Sequence, residues 1–384
     1  MDSRFRGNDV IWAMDRRQFI AAAAAATLPL PAFAAPTRPR GARPGVFWVD
    51  AQGGVDGFDE KDGRLVPSAG LIEAVKSGWI NVVSQTVGQV GNGPDRFRSA
   101  VEDIAFVDRF VTEMPALFAK GLSVADLSAA KADGKVAIVC NVQDTTPLEA
   151  DVGRIATFKA LGLRILQLTY NKRNLAGDGC LERADAGLSD FGRQVIAETQ
   201  KQRLLLDLSH SAPRTIAEGI AEAKAPPAIT HTGCRDLVDL PRNTFDRELK
   251  ALADKGGVVG IYFMPFLRSK GQPGRDDLIR HVEHAVKVAG EDHVGIGTDG
   301  PLMGFTIDDK ARKQQREFFE DRSKRGIAAP GEAADVFNMV EGYNDAPRYA
   351  SLAADLSGRG WPQARIDKLL GGNFMRLFGE AWGG

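Results

Sequence analysis

The fold class can be read outward from residues 204–231, LLLDLSHSAPRTIAEGIAEAKAPPAITH. Two short apolar runs, Leu204–Leu208 and Ala228–Thr230, are separated by one connecting segment, and each is followed by a histidine, His210 and His231. Runs of this kind recur along the chain at Val46–Asp50, Ile80–Gln85, Val136–Val142, Ile165–Thr169, Val258–Phe263 and Val294–Thr298. Several are β-rich and almost continuously apolar, as expected of strands buried on both faces. Between them lie helical spacings: Phe97, Val101, Ile104, Val107, Phe110 and Val111; Phe191, Val195 and Ile196; Leu249 and Leu252; Leu278, Val282, Ala285 and Val286. Ser123 and Asp190 stand where N-caps are expected. Strands alternating with helices in this number predict an α/β protein, a closed parallel (β/α)8 barrel over residues 45–384. A doubly wound open sheet is the competing architecture. It loses support because no G-x-G-x-x-G follows the first run.

In such a barrel the chemistry sits at the C-terminal ends of the strands. Those positions are Gln52, Gln85, Gln143, Tyr170, His210, His231, Met264 and Asp299. Two of only five histidines and the aspartate of a Gly-Thr-Asp-Gly turn therefore converge on one mouth. Neutral imidazole and carboxylate suit zinc with an open position for water. Each residue has a plainer role when taken singly. A histidine in a Ser-His-Ser turn can merely satisfy backbone, and Asp299 can form an Asx turn. His281 and His284 share a helical spacing that fits packing or surface roles, and His293 precedes its strand, on the opposite, stability face.

The 49 Lys+Arg and 50 Asp+Glu give a net charge of -1, which argues against a nucleic-acid partner. Three cysteines, Cys140, Cys180 and Cys234, cannot make a disulfide framework, and no essential disulfide is expected. Residues 308–327 are strongly charged and read mainly as a solvated helix, with a lid over the mouth as the functional alternative. Residues 14–35, MDRRQFIAAAAAATLPLPAFAA, carry Arg16-Arg17, an apolar run and Ala32-Phe33-Ala34. That order is the pattern of a twin-arginine export signal over residues 1–34 and implies a periplasmic product. Met14 is then a candidate true start, with residues 1–13 an over-extended reading. The apolar run is too short and proline-broken for a permanent span, and no transmembrane span is expected in the mature chain.

The segments YNKRNLAGDGCLERADAGLSDFGRQVI, LLLDLSHSAPRTI, PPAITHTGCRDLVDLPRN, KGGVVGIYF, EDHVGIGTDG and GGNFMRLFG resemble, in order from about Phe47 to Phe378, the membrane dipeptidase (renal dipeptidase) family of metallopeptidases. The resemblance implies an amidohydrolase-like barrel that hydrolyses dipeptides with two zinc ions bridged by a carboxylate and a hydroxide. It also implies His210 and His231 as ligands of one zinc, Arg235 as the partner of the substrate carboxylate and Asp299 as a proton-transfer residue. Tyr170 replaces a histidine of the family that polarises the scissile carbonyl, and can still donate a hydrogen bond. The other ligand positions depart: Gln52 and Gly54 stand where a His and an Asp bind the second zinc, and Gln143 stands at the bridging carboxylate. Neutral amides and a glycine are poor substitutes there. The expectation is at most one zinc, on His210 and His231, completed by water with Gln143 or Asp299; Asp144 is an alternative carboxylate. Three functions follow: an exported hydrolase of dipeptides or related amides; a catalytically impaired homologue that binds peptides or small molecules; or a mononuclear hydrolase of a different amide or ester. A dipeptide-like small molecule is the expected partner, and a homodimer is left open.

The export reading predicts that N-terminal sequencing of the periplasmic protein begins near Ala35. An intact N-terminus in a cytoplasmic product contradicts it.

Overall fold

The computed structural model describes residues 45–304 and 306–383. The expected export segment, residues 1–34, lies outside the described residues. The strands are β1 (Val49–Gly54), β2 (Phe58–Lys61), β3 (Arg64–Pro67), β4 (Val82–Thr86), β5 (Phe118–Lys120), β6 (Val136–Val142), β7 (Leu163–Gln167), β8 (Leu205–Asp207), β9 (Ala228–Thr232), β10 (Val258–Ile261), β11 (Val294–Ile296) and β12 (Gly300–Pro301). The main sheet runs β11-β10-β9-β8-β7-β6-β4-β1-β12, with short β5 beside β6, while β2 and β3 form a separate antiparallel hairpin. Neighbours in the main sheet are parallel. Because β12 directly continues β11, both ends of the sheet belong to one stretch of chain, and the sheet is a closed (β/α)8 barrel.

One side chain joins the backbone bonds that close the barrel. Asp50, on β1, accepts from Thr298 N at 2.7 Å and from Thr298 Oγ1 at 2.6 Å. Beside it Asp299 N donates to Gln52 O at 2.7 Å, and Gly53 pairs with Gly300. Burial pushes the Asp50 carboxyl up to about 7, against the hydrogen bonds from Thr298 and the charge of Arg348, which lower it.

The interior follows the alternation of the strands. Ala137 and Val139, Ile165, Leu205, Ala228 and Val258 form one apolar cluster with Phe374, Leu377, Phe378 and Trp382 of the last helix, Asn373–Trp382. That helix plugs the end of the barrel opposite the mouth, and Trp382 Nε1 donates to Arg164 O. The wall is tight at β10 and β11: a Cβ on Gly260 would lie 1.9 Å from Thr230 O, and one on Gly297 would lie 2.1 Å from the same oxygen. The outer faces of the strands pack against the helices Arg96–Glu113, Asp190–Lys201, Asp246–Asp254 and Arg275–Ala289, where the apolar spacings predicted them. Ser123 caps its helix by accepting from Asp126 N at 3.2 Å. The expected cap at Asp190 is displaced by one residue: Ser189 accepts from Gly192 N at 3.0 Å, and Asp190 occupies the first turn. All three cysteines are unpaired. No described helix is long and apolar enough to cross a membrane.

Asp50→Ala leaves the Thr298 N–H buried without an acceptor, and calorimetry should show a loss of roughly 2–4 kcal/mol. Asp50→Asn, which keeps an acceptor and a shape match, should lose much less. The folded carboxyl titrates near 7 while the unfolded one titrates near its ordinary 3.8. Between those values the folded state holds the extra proton, so this residue makes stability fall as pH rises from about 4 to 7. The Asn variant should lack that slope; an unchanged slope contradicts the assignment.

Candidate metal centre

His210 follows β8 at a left-handed φ of 62°, and His231 lies within β9. Asp299 follows β11, also left-handed at φ 56°. Positive φ at two non-glycine residues of one mouth marks backbone held by its surroundings. One ligand atom from each of His210, His231 and Asp299 lies within 4.8 Å of the others. The imidazoles are set edge to face with ring centroids 4.9 Å apart.

The tautomers are fixed from behind. His210 Nδ1 donates to Asn171 Oδ1 at 2.6 Å, and Asn171 is held in turn by donating to Ile327 O at 2.8 Å. Asp207 at the end of β8 accepts the Thr230 hydroxyl proton at 2.5 Å, so Thr230 Oγ1 accepts from His231 Nδ1 at 2.9 Å. Ser209 N and Oγ also donate to Asp207, anchoring the carboxylate. Both Nε2 atoms therefore carry lone pairs, and both are buried without a hydrogen-bond partner. Burial, followed by the charge of Arg242, holds both imidazoles well below their usual range, so they are neutral at neutral pH. Burial raises the Asp299 carboxyl to about 6, while Arg242 and Arg322 pull it down. Two neutral imidazole nitrogens and one carboxylate, backed by fixed hydrogen bonds, fit a zinc-type divalent ion.

Above this centre opens a cleft enclosing about 730 Å³, open solvent included. Gln52, Gly54, Gln143, Tyr170, His210, Met264 and Asp299 line it; His231 lies fully buried beside them. Gln85 turns away and accepts from Val55 N at 2.8 Å, leaving Thr86 to line the mouth from β4. At the positions where the resemblance requires a second ion, Gln52 Nε2 and Gln143 Nε2 both donate to Thr86 Oγ1, at 2.8 and 2.9 Å. Asp144 offers no replacement carboxylate there: it accepts from Gly91 N, Thr146 N and Thr146 Oγ1 and does not line the cleft.

Arg235 stands outside the lining. Its Nε donates to Asp239 Oδ1 at 2.7 Å and its guanidinium lies 4.4 Å from the Phe245 ring centroid. Arg242 does line the cleft; it is 3% exposed and has its Nη2 buried without a partner. Sequence reasoning passed over Arg242, in Leu240-Pro241-Arg242-Asn243, because the resemblance was matched to Arg235 for the carboxylate contact. Arg322 and Glu332 were also missed. Arg322 binds Glu332 through two contacts of 2.6 and 2.8 Å, and its Nη1 donates to Tyr170 Oη at 3.2 Å. The Tyr170 ring stacks on His210, with centroids 4.2 Å apart. The charged segment is a largely exposed helix, Asp309–Lys324, with one face toward the cleft, which Phe318 and Arg322 line.

A parallel barrel with two imidazoles and a carboxylate at its mouth defines an amidohydrolase-like metallohydrolase. The profile of the membrane dipeptidases, Peptidase family M19, matches residues 73–309, and the chain belongs to that family. An amidohydrolase from Pseudomonas aeruginosa is 30% identical, with a TM-score of 0.74, over 88% of this chain and 97% of its own. An uncharacterised Klebsiella pneumoniae protein encoded in the pqqA 5' region is 27% identical over 68% of this chain and 88% of its own. A metallopeptidase from Rhodobacter sphaeroides, solved with a phosphinate mimic of the dipeptide L-Ala-D-Ala, shares the fold, with a TM-score of 0.67 and 19% identity over 88% of this chain and 99% of its own. Metal-dependent hydrolysis of the membrane-dipeptidase type is the activity of the class.

Thr230→Val breaks the link from Asp207 to His231 while keeping the side chain's shape. Zinc affinity, measured by competition with a chelator, should fall about 10–100-fold with the circular dichroism spectrum unchanged. Unchanged affinity would show that the link does not orient the ligand.

Proposed function

We propose that the protein is a mononuclear metallohydrolase of dipeptides and related amides that carry a free carboxylate. The observation that supports this most directly is the pair of buried, unpartnered imidazole Nε2 atoms facing Asp299. His210, His231 and Asp299 would hold the ion, which when bound supplies Lewis acidity toward the scissile carbonyl and a nucleophilic water at neutral pH.

The chain's own residues do the rest. Arg242 pairs with the substrate carboxylate through its free Nη2, in a site dry enough to strengthen the contact. Tyr170 Oη already accepts from Arg322, so its own proton is available to the carbonyl oxygen as negative charge develops there. Asp299 takes a proton from water and delivers it to the departing amine nitrogen. Phe318 and Arg322 roof the cleft and limit the entry of bulk water. The neutral pair Gln52 and Gln143 favours a second reading, a homologue that binds such molecules without cleaving them. Export to the periplasm is proposed with either reading, on the strength of Arg16-Arg17 and Ala32-Phe33-Ala34.

Steady-state kinetics of the zinc-loaded protein on a dipeptide panel separate these readings. Hydrolysis should be measurable, and Arg242→Ala should raise KM about 10–100-fold, the loss expected for a charge-assisted contact. Arg235→Ala should stay within about twofold. The reverse ranking would return the carboxylate contact to Arg235. Binding without turnover would select the second reading.

A further inference from the structure

We infer that Gln52 and Gln143 form an acceptor site for the amino end of the substrate, at the place where a second metal ion would otherwise sit. This rests on the proposed carboxylate-bearing substrate and adds its opposite end.

Hydrogen-bond direction decides which amide atoms face the cleft. Thr86 Oγ1 has three neighbours: Gln52 Nε2 at 2.8 Å, Gln143 Nε2 at 2.9 Å and Asn141 Oδ1 at 3.3 Å. Asn141 donates from Nδ2 to Ser84 Oγ at 2.8 Å and turns its oxygen toward Thr86. The single hydroxyl proton of Thr86 goes to that oxygen, and its two lone pairs take the two glutamine nitrogens. Turning either glutamine over would set oxygen against oxygen. Both side-chain carbonyls are therefore left over as acceptors on residues that line the cleft and are only 3% and 6% exposed. Neither carbonyl oxygen has a protein partner among the described residues.

Two neutral oxygens cannot offset a divalent charge, and the one carboxylate of the cleft without an arginine partner, Asp299, is committed to the two imidazoles on the proposed reading. Asp50 is taken by Thr298 and Asp144 by Gly91 and Thr146. They match a group of several N–H donors and modest charge, and a primary ammonium is that group. Gly54, without a side chain, leaves the approach to them open. A substrate would then lie across the mouth, with its carboxylate on Arg242 and its amine on the two amides. An N-acylated relative would bring one donor and more bulk and would be disfavoured.

The test is rapid-mixing titration of zinc-loaded protein carrying Tyr170→Phe, which slows turnover and leaves His210, His231 and Asp299 in place. The probes are L-alanyl-D-alanine and propionyl-D-alanine, which differ by the amino group. The dipeptide should bind about tenfold more tightly, a difference in the range of one hydrogen bond to a charged group. In Gln52→Leu/Gln143→Leu the ratio should fall to within about twofold while propionyl-D-alanine keeps its affinity. Thr86→Val, a smaller change that releases the amides to turn over, should also reduce the ratio and covers the case in which the double variant does not fold. Equal binding of the two probes, or a preference that survives both variants, overturns the inference. Arg242→Ala separates the two levels: if it weakens both probes, the carboxylate reading stands whatever the ratio shows. If neither probe binds, or neither responds to Arg242→Ala, that reading fails and this inference with it.

Discussion

The mouth of this barrel depends on one buried carboxylate. Asp50 receives both the backbone N–H and the hydroxyl of Thr298, at 2.7 and 2.6 Å, and so joins the first strand to the last. Thr298 is the residue before Asp299. The bonds that close the wall therefore also fix where the carboxylate of the centre stands relative to His210 and His231 across the mouth. Directional bonds between buried groups do this better than apolar packing, which sets density but not angle. The left-handed φ of Asp299 and His210 is held inside the same frame.

The centre has a graded electrostatic character. On one side stand two imidazoles kept neutral by burial and oriented through Asn171 and through Asp207 with Thr230. Over them lie two guanidinium groups, Arg242 and Arg322, the second matched by Glu332. On the opposite side Gln52, Thr86 and Gln143 form a neutral hydrogen-bonded wall. A cation placed among the imidazoles would be balanced by Asp299 and would also draw that carboxyl back down from about 6. A second cation against the amides would have nothing to balance it. The same wall is well suited to hydrogen-bond recognition, which needs direction rather than charge.

Much of this was legible in the chain because strand ends are informative in a parallel barrel. Val136–Val142 was delimited as it stands, since seven residues buried on both faces leave an unbroken apolar run. The first strand was placed at Val46–Asp50 but spans Val49–Gly54, because its mouth half is Gln52-Gly53-Gly54 and carries site chemistry instead of apolar side chains. The seventh strand slid by two residues for the opposite reason: Leu163, Ile165, Leu166 and Leu168 are all apolar, and hydropathy does not mark where pairing stops. What could not be read were contacts made across long loops. Arg242, Arg322 and Glu332 reach the cleft from connecting segments whose course is set by tertiary packing, and in the sequence each is one charge among many. Arg235, which the resemblance implies for the substrate carboxylate, lies outside the cleft lining and bonds Asp239, because a position in a motif does not fix where a long side chain turns.

On the proposed reading, a single divalent ion sits between His210 and His231 with Asp299, facing a neutral amide wall. Metal analysis by inductively coupled plasma mass spectrometry on zinc-saturated, gel-filtered protein tests it directly. One zinc per chain is predicted, falling to none in His210→Ala/His231→Ala. Two zinc ions per chain in the unmodified protein would contradict it, because the wall of Gln52, Thr86 and Gln143 would then have to be a metal site.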